Sequence, residues 1–257
     1  MLLVAGCSSD GPEPSAARTS STERASSTSA ATTTAVPGPI ADQTAPKDIN
    51  GIEVQGDTLW VASIDADEIL HVRRSDGAIL ARFPTHGAGP DDVAIGPDGS
   101  VYSAGFGNGD VGHIVHGRYS VVSKMAAGIN PIAFSPDGHL FLGTYGPGGK
   151  VYRVPLDGSD PVLVASDAPD INAFGILGDG TIVAPSGGVG GPGAAVAIDP
   201  HDGTITTIVG GLPPVAAGTT DSRGTPYVLA NLSGQVIRVD VGAGTSRVVR
   251  TVTRGAP

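Results

Sequence analysis

The sequence predicts an all-β protein, a β-propeller built from four-stranded blades. Three observations carry the prediction. The chain of 257 residues holds 39 glycines and only 4% aromatic residues, a composition of many tight turns and short strands rather than long helices. From residue 48 onward one pattern recurs about every 40 residues, a blade-like period. Each copy contains four short, largely apolar stretches separated by turn residues, and four strands make one blade.

Residues 1–47 read differently. Val4-Ala5-Gly6-Cys7 resembles the lipobox of bacterial lipoprotein signals, in which the cysteine is lipidated and becomes the new N-terminus. Only six residues precede Cys7 and none is basic. The expectation is therefore a truncated signal over residues 1–7, either begun too late or carried on a fragment. Residues 8–47, opening "SSDGPEPSAARTSSTERASSTSAATTTAVPGP", are Ser, Thr, Ala and Pro with almost no large apolar side chain. Such a stretch cannot bury enough surface to offset its chain entropy, and it predicts a disordered tether. Together they imply a domain held by lipid at the extracytoplasmic face of a bacterial cell envelope, with the membrane met only through that anchor. No stretch of the sequence is long and apolar enough to span a bilayer.

The propeller domain is expected over residues 48–257. Its first strand and hairpin recur as "NGIEVQGDTLWVA" from Asn50, "DDVAIGPDGSVYSA" from Asp91, "NPIAFSPDGHLFLG" from Asn130, "NAFGILGDGTIVAP" from Asn172 and "AAGTTDSRGTPYVLA" from Ala216. Third strands follow as "EILHVRR", "GHIVHG", "KVYRVPL", "AVAID" and "QVIRVDV", and fourth strands as "AILARF", "YSVVSK", "PVLVAS", "ITTIVG" and "SRVVRTV". The hairpin turns place Pro where φ is preset and Gly where a left-handed residue is needed, so Asp137 in "SPDG" reads as a turn former rather than a ligand. Apolar residues on both sides of strands such as "KVYRV" require cover on both faces, which a ring of blades supplies. A β-helix is the alternative, but its coils repeat in about half this length or less. Five units are visible, at about 49–85, 87–124, 126–165, 167–209 and 211–252. The expectation is an incomplete six-bladed ring, with a true five-bladed ring as the other solution.

The formal net charge of −10 argues against nucleic acid, because phosphate binding needs clustered Lys and Arg. A single cysteine excludes an intrachain disulfide. The six histidines fall at different points of the repeat, with no HExxH or Cys/His cluster to build a tetrahedral zinc site. There is no G-x-S-x-G elbow for a serine hydrolase. "SGGVGGPG" over 186–193 lacks the Lys-Ser/Thr of a phosphate loop and reads as a flexible connection between the second and third strands of its blade.

"NGIEVQGDTLWVASIDADEILHV", "INPIAFSPDGHLFLGTYGPGGKVYRV" and "INAFGILGDGTIVAPSGGVGG" resemble the SMP-30/gluconolactonase-like family, and NHL and streptogramin-lyase-like propellers share much of the rhythm. The resemblance implies a six-bladed ring whose channel holds one divalent cation, Ca²⁺ or Zn²⁺, on Asn, Asp and Glu side chains near the starts of the inner strands. It implies hydrolysis of lactones or esters at that cation. Carried over by position, the metal candidates are Asn130, Asn172, Asn50 and Asp91. The match is partial: Asn50 stands where the family has a ligating Glu, and Ala216-Ala217 where it has an Asp. With few carboxylates such a site binds Ca²⁺ weakly, and no catalytic residue is identified. Blade geometry places Asp92, Asp65, Asp67, Asn108, Asp110, Tyr145 and Asn231 around the same face as a ligand rim. Two readings follow. One is an exported, lipid-anchored propeller that binds a small molecule, with metal-dependent lactone or ester hydrolysis as its activity. The other is a non-catalytic propeller that binds a ligand or an envelope protein.

Overall fold

The computed structural model describes residues 42–252, apart from 169 and 188–189. Cys7 and most of the expected tether lie outside the described residues. Five four-stranded antiparallel sheets, each in simple sequential order, surround a central channel. Blade 1 is β1 (Ile49–Gln55), β2 (Thr58–Ser63), β3 (Glu68–Arg73) and β4 (Ile79–Pro84). Blade 2 is β5 (Pro90–Ile95), β6 (Val101–Gly105), β7 (Asp110–Val115) and β8 (Arg118–Lys124). Blade 3 is β9 (Ile129–Phe134), β10 (Leu140–Thr144), β11 (Gly149–Val154) and β12 (Val162–Ala168). Blade 4 is β13 (Gly175–Ile176), β14 (Ile182–Ser186), β15 (Gly193–Ile198) and β16 (Ile205–Leu212). Blade 5 is β17 (Ala217–Thr220), β18 (Pro226–Ala230), β19 (Gln235–Asp240) and β20 (Thr245–Thr251). The five repeat units of the sequence are these five blades.

The turn between first and second strands is the same device in blades 2 and 3. Gly99 N–H donates to Gly96 O at 2.9 Å and Gly138 N–H to Ser135 O at 2.9 Å, with φ of 80° and 87°. An aspartate inside the turn accepts from the residues that follow or precede it: Asp98 from Ser100 N–H, Asp137 from the Ser135 hydroxyl. Asp137 is exposed, and that hydroxyl chiefly holds its carboxyl below the usual range. It turns the chain at the end of the strand opposite Asn130.

Between blades the apolar residues collect into shared cores. Trp60, Ala62 and Ile69 of blade 1 meet Val93, Val101 and Ile114 of blade 2. Ala94, Tyr102, Ala104 and Val111 of blade 2 meet Ile129, Ile132, Leu140, Leu142 and Val154 of blade 3. Phe141, Val151 and Ala165 of blade 3 meet Phe174, Ile182 and Val196 of blade 4. Ala195 and Leu212 of blade 4 meet Val228, Ala230, Ile237 and Val239 of blade 5. Such burial of alternating faces is the main stabilising term of the fold.

The junction of blade 5 with blade 1 differs. Among the described residues no strand pair there packs as the other junctions do. A fifth apolar cluster, Val61, Leu70 and Ile79 with Leu59 and Val72, draws on blade 1 alone. Inner strand β1 leaves Ile52 and Val54 54% and 53% exposed, whereas Ile132 of β9 is 3% exposed. Residues 42–48 cross part of this side: Gln43 exchanges two hydrogen bonds with the Ile79 backbone, and the Ser63 hydroxyl bonds the Lys47 backbone.

Candidate functional site at the channel mouth

The inner strands and the residues that lead into them line a cavity of about 740 Å³. Each blade contributes its repeat-equivalent position: Asn50, Asp91, Asn130, Asn172 and Ala216. Three of these are tied into one chain of hydrogen bonds. The Asn130 Nδ2 donates to Asn172 Oδ1 at 2.6 Å, and Asn172 Nδ2 donates to the Ala216 carbonyl at 2.7 Å. Both asparagine amides are therefore fixed in orientation, and the chain runs from blade 3 through blade 4 to blade 5. Asn130 is 3% exposed, so its amide carbonyl is held rigidly beside the channel.

The carboxylates gather at blades 1 and 2. Asp91 is 4% exposed, and its Oδ1 has no hydrogen-bond partner. Burial, then the nearby charge of Asp48, pushes its carboxyl up to about 6. Asp92 points into the seam where the inner strands of blades 1, 2 and 3 meet. It accepts from Val93 N–H at 2.9 Å and Ile132 N–H at 3.3 Å. A Cβ on Gly51 of β1 would lie 2.4 Å from Asp92 Oδ1 and 2.5 Å from its Cα, so only glycine allows this approach. Burial pushes Asp92 up to about 7 against those two donors, with Glu53 and Asp91 adding to the rise. Burial also raises Glu53. A carboxyl out of water keeps its proton, because the charged form loses hydration that nothing replaces. Asp91 and Asp92 thus share their protons with neutral solvent, a property that concentrates at functional sites.

The rim residues divide. Asp67, in left-handed backbone at φ 53°, accepts from the Thr85 hydroxyl at 2.6 Å and from Gly87 and Gly89 N–H at 2.5 and 2.9 Å. It knots the loop after β2 to the chain entering blade 2. Asn108 donates to Asp110 at 2.8 Å, and Asp110 also takes the Lys124 ammonium at 2.6 Å. Asp65 and Asn231 are exposed, and Tyr145 lies 46% exposed with its ring 6.4 Å from Phe106. None of these rim residues lines the cavity that holds Asn130, Asn172, Asn50, Asp91 and Asp92. Sequence reasoning passed over Asp48, Glu53 and the Ala216 carbonyl. Glu53 carried a usable signal: Gly51, Glu53 and Gln55 alternate with Ile52 and Val54, which puts Glu53 on the side of Asp92. Two of the histidines are structural. His71 stacks on Trp60 at 4.3 Å and His113 on Tyr102 at 4.4 Å, the same cross-strand pair in consecutive blades.

The donor set does not fit the divalent cation that the family resemblance implies. Among the described residues no three His, Cys, Asp or Glu side chains converge as metal ligands. The Asn172 oxygen is already taken by Asn130, and the blade 5 position offers a carbonyl already taken by Asn172. Calcium takes six to eight oxygen ligands, waters included, and its affinity falls as fewer of them are carboxylates.

No protein-family model matches the chain, and no curated protein matches it. Solved structures do. A gluconolactonase from Xanthomonas campestris superposes with a TM-score of 0.62 at 17% identity, over 77% of this chain and 74% of its own. A virginiamycin B lyase from Staphylococcus aureus gives 0.63 at 17% identity, over 82% and 72%. The calcium-binding protein regucalcin from Agrobacterium tumefaciens gives 0.61 at 18%, over 77% and 73%. The likeness is one of fold. It includes the gluconolactonase and regucalcin type of propeller and the streptogramin lyase type alike.

Proposed function

We propose that the channel mouth binds a small polar molecule and that its chemistry is lactone or ester hydrolysis of the kind named for the gluconolactonase neighbour, run by carboxyls rather than a metal. The observation that carries this reading is that one fixed amide, Asn130, and two carboxyls pushed up by burial, Asp91 and Asp92, line the same cavity. In this reading Asn130 orients the ligand through its free carbonyl. Asp92, anchored by Ile132 N–H and Val93 N–H, takes the proton of an attacking water, for which a value near the working pH is suited. The lipobox of Cys7 and the tether support an exported, lipid-anchored protein that meets its ligand outside the cytoplasm.

The test is hydrolysis of gluconolactone and of an activated ester by the purified chain. Activity is expected to fall about 100-fold or more in Asp92→Asn and to survive a chelator. Activity that disappears with the chelator, or a stoichiometric metal by elemental analysis, overturns the metal-free assignment. A specific observation favours a second reading, a binding propeller without catalysis: Asp91 Oδ1 is wholly enclosed and touches no donor. Saturable ligand binding lost in Asn130→Ala, with no turnover of either substrate, decides for it. Radiolabelled palmitate incorporated into the wild type and not into Cys7→Ser tests the anchor.

A further inference from the structure

Given the channel mouth as a ligand site, on which this rests, we propose that its ligand is an organic ammonium. The charged head is held by the carboxyls of blades 1 and 2, and an aliphatic body lies along the inner strands. Three carboxyls line the cavity, those of Glu53, Asp91 and Asp92, and among the described residues no Lys, Arg or His lines it. None of the three takes part in an ion pair among the described residues. Asp48 stands close enough for its charge to act on Asp91. Buried carboxyls are ordinarily paired, because like charges repel and lost hydration has to be replaced.

Asp91 separates this wall from a solvated acidic surface. It is 4% exposed, and its Oδ1 is enclosed without a donor. Asp92 is given two backbone N–H groups; Asp91 lacks even these for that oxygen. A buried polar atom without a partner calls for one. The amides beside it are no source of donors, since Asn130 Nδ2 is spent on Asn172 and Asn172 Nδ2 on Ala216. What the wall offers is acceptors, so a ligand that satisfies it must donate. An ammonium brings three N–H donors and the missing charge at once. A cleft of one sign between low-dielectric walls also concentrates such ions from solution. Farther along, the lining turns apolar at Ile95, Phe134 and Ile176, the last residues of β5, β9 and β13. That suits a hydrocarbon body behind the charged head.

The experiment is isothermal titration of the full chain with hexylamine, hexanol and hexanoate, equal in length and different in head group. It is run at about pH 8, where an alkylamine is still charged. Hexylamine is expected to bind at least about tenfold tighter than hexanol, hexanoate weaker still, with the preference shrinking as salt rises. Asp91→Asn keeps the side chain's shape and is expected to remove most of the preference, about tenfold in hexylamine affinity. Its retained hexanol binding reports a folded site. Glu53→Gln is expected to lose less, and Asp137→Asn, an exposed carboxyl at the far end of its blade, nothing. Equal affinity for hexylamine and hexanol overturns the selection of a cation while leaving the cavity a ligand site. A preference that survives both Asp91→Asn and Glu53→Gln overturns it as well, by assigning the effect to general surface charge. Calcium chloride binding tighter than hexylamine gives the carboxyls to a metal and overturns it. Binding of no probe overturns it too, and hydrolysis of gluconolactone in the same preparation would leave the proposed activity standing.

Discussion

Blade 1 has two faces written in the same alternating code, and they meet different fates. On one face Trp60, Ala62 and Ile69 share a core with blade 2. On the other, Val61, Leu70 and Ile79 are buried within their own blade, with residues 42–48 bonded across that side, while Ile52 and Val54 stay half exposed. The residue types hardly differ. What differs is whether a neighbouring sheet stands there. In a repeat architecture the stability of a face resides in its interface with the next repeat rather than within it. The closed junctions should hold most of the folding free energy, and the open one should tolerate change.

Truncation gives the largest contrast. Leu142, fully buried between blades 2 and 3, is expected to cost about 2–5 kcal/mol as Leu142→Ala, from lost transfer energy and the cavity left behind. Ile52→Ala on the open side is expected to change stability by no more than about 0.5 kcal/mol. Urea midpoints of the two variants compare them directly. A large loss in Ile52→Ala would mean that Ile52 is covered in solution.

The seam of blades 1 and 2 sharpens the contrast by overfilling. Gly51→Ala sets a methyl group against the backbone of Asp92 and is expected to destabilise by about 1–3 kcal/mol. The same seam sets a pH dependence. Asp91 and Asp92 rise from 3.8 to about 6 and about 7, so between these limits the folded protein holds protons that the unfolded chain has released. Their contribution is fully present below pH 3.8 and is lost as pH rises through the folded values, so stability falls with rising pH in that window. Asp92→Asn is expected to flatten the slope between about pH 5 and 7, read from denaturation midpoints. A slope of unchanged steepness in that variant would remove Asp92 as its source.

Much of the architecture is legible in the amino-acid sequence alone. The five visible blades and their boundaries follow from the repeat, because turn chemistry at "GPDG", "SPDG" and "GDG" is local and fixed by Pro and Gly; the expectation of a six-bladed ring does not follow from it, and the structure shows five blades. The role of Asp137 follows for the same reason. The site is legible only as a set of positions. Asn130 and Asn172 fall on equivalent places, but whether they ligate or bond each other depends on the rotation from one blade to the next, which no local pattern encodes. Asp67, Asn108 and Asp110 have the composition of a binding rim, yet Asn108 and Asp110 bond each other and Asp67 and Asp110 are consumed by Gly87, Gly89 and Lys124, partners up to 22 residues away. The half exposure of Ile52 and Val54 among the described residues is the least visible feature, since β1 reads like the inner strands that are covered.

The smallest expected effect carries an opposite sign, and it separates the two faces more cleanly than size does. Removing a side chain from any closed junction should destabilise. Arg247 stands across from Arg238 on the open wall, and Arg247→Thr removes one of two like charges while keeping a good strand former. The variant is expected to be more stable than the wild type by about 0.2–0.5 kcal/mol at low salt, a gain that shrinks above about 0.5 M salt as the repulsion is screened. Loss of stability in Arg247→Thr at every salt concentration would show instead that the arginine is held by contacts within its own blade.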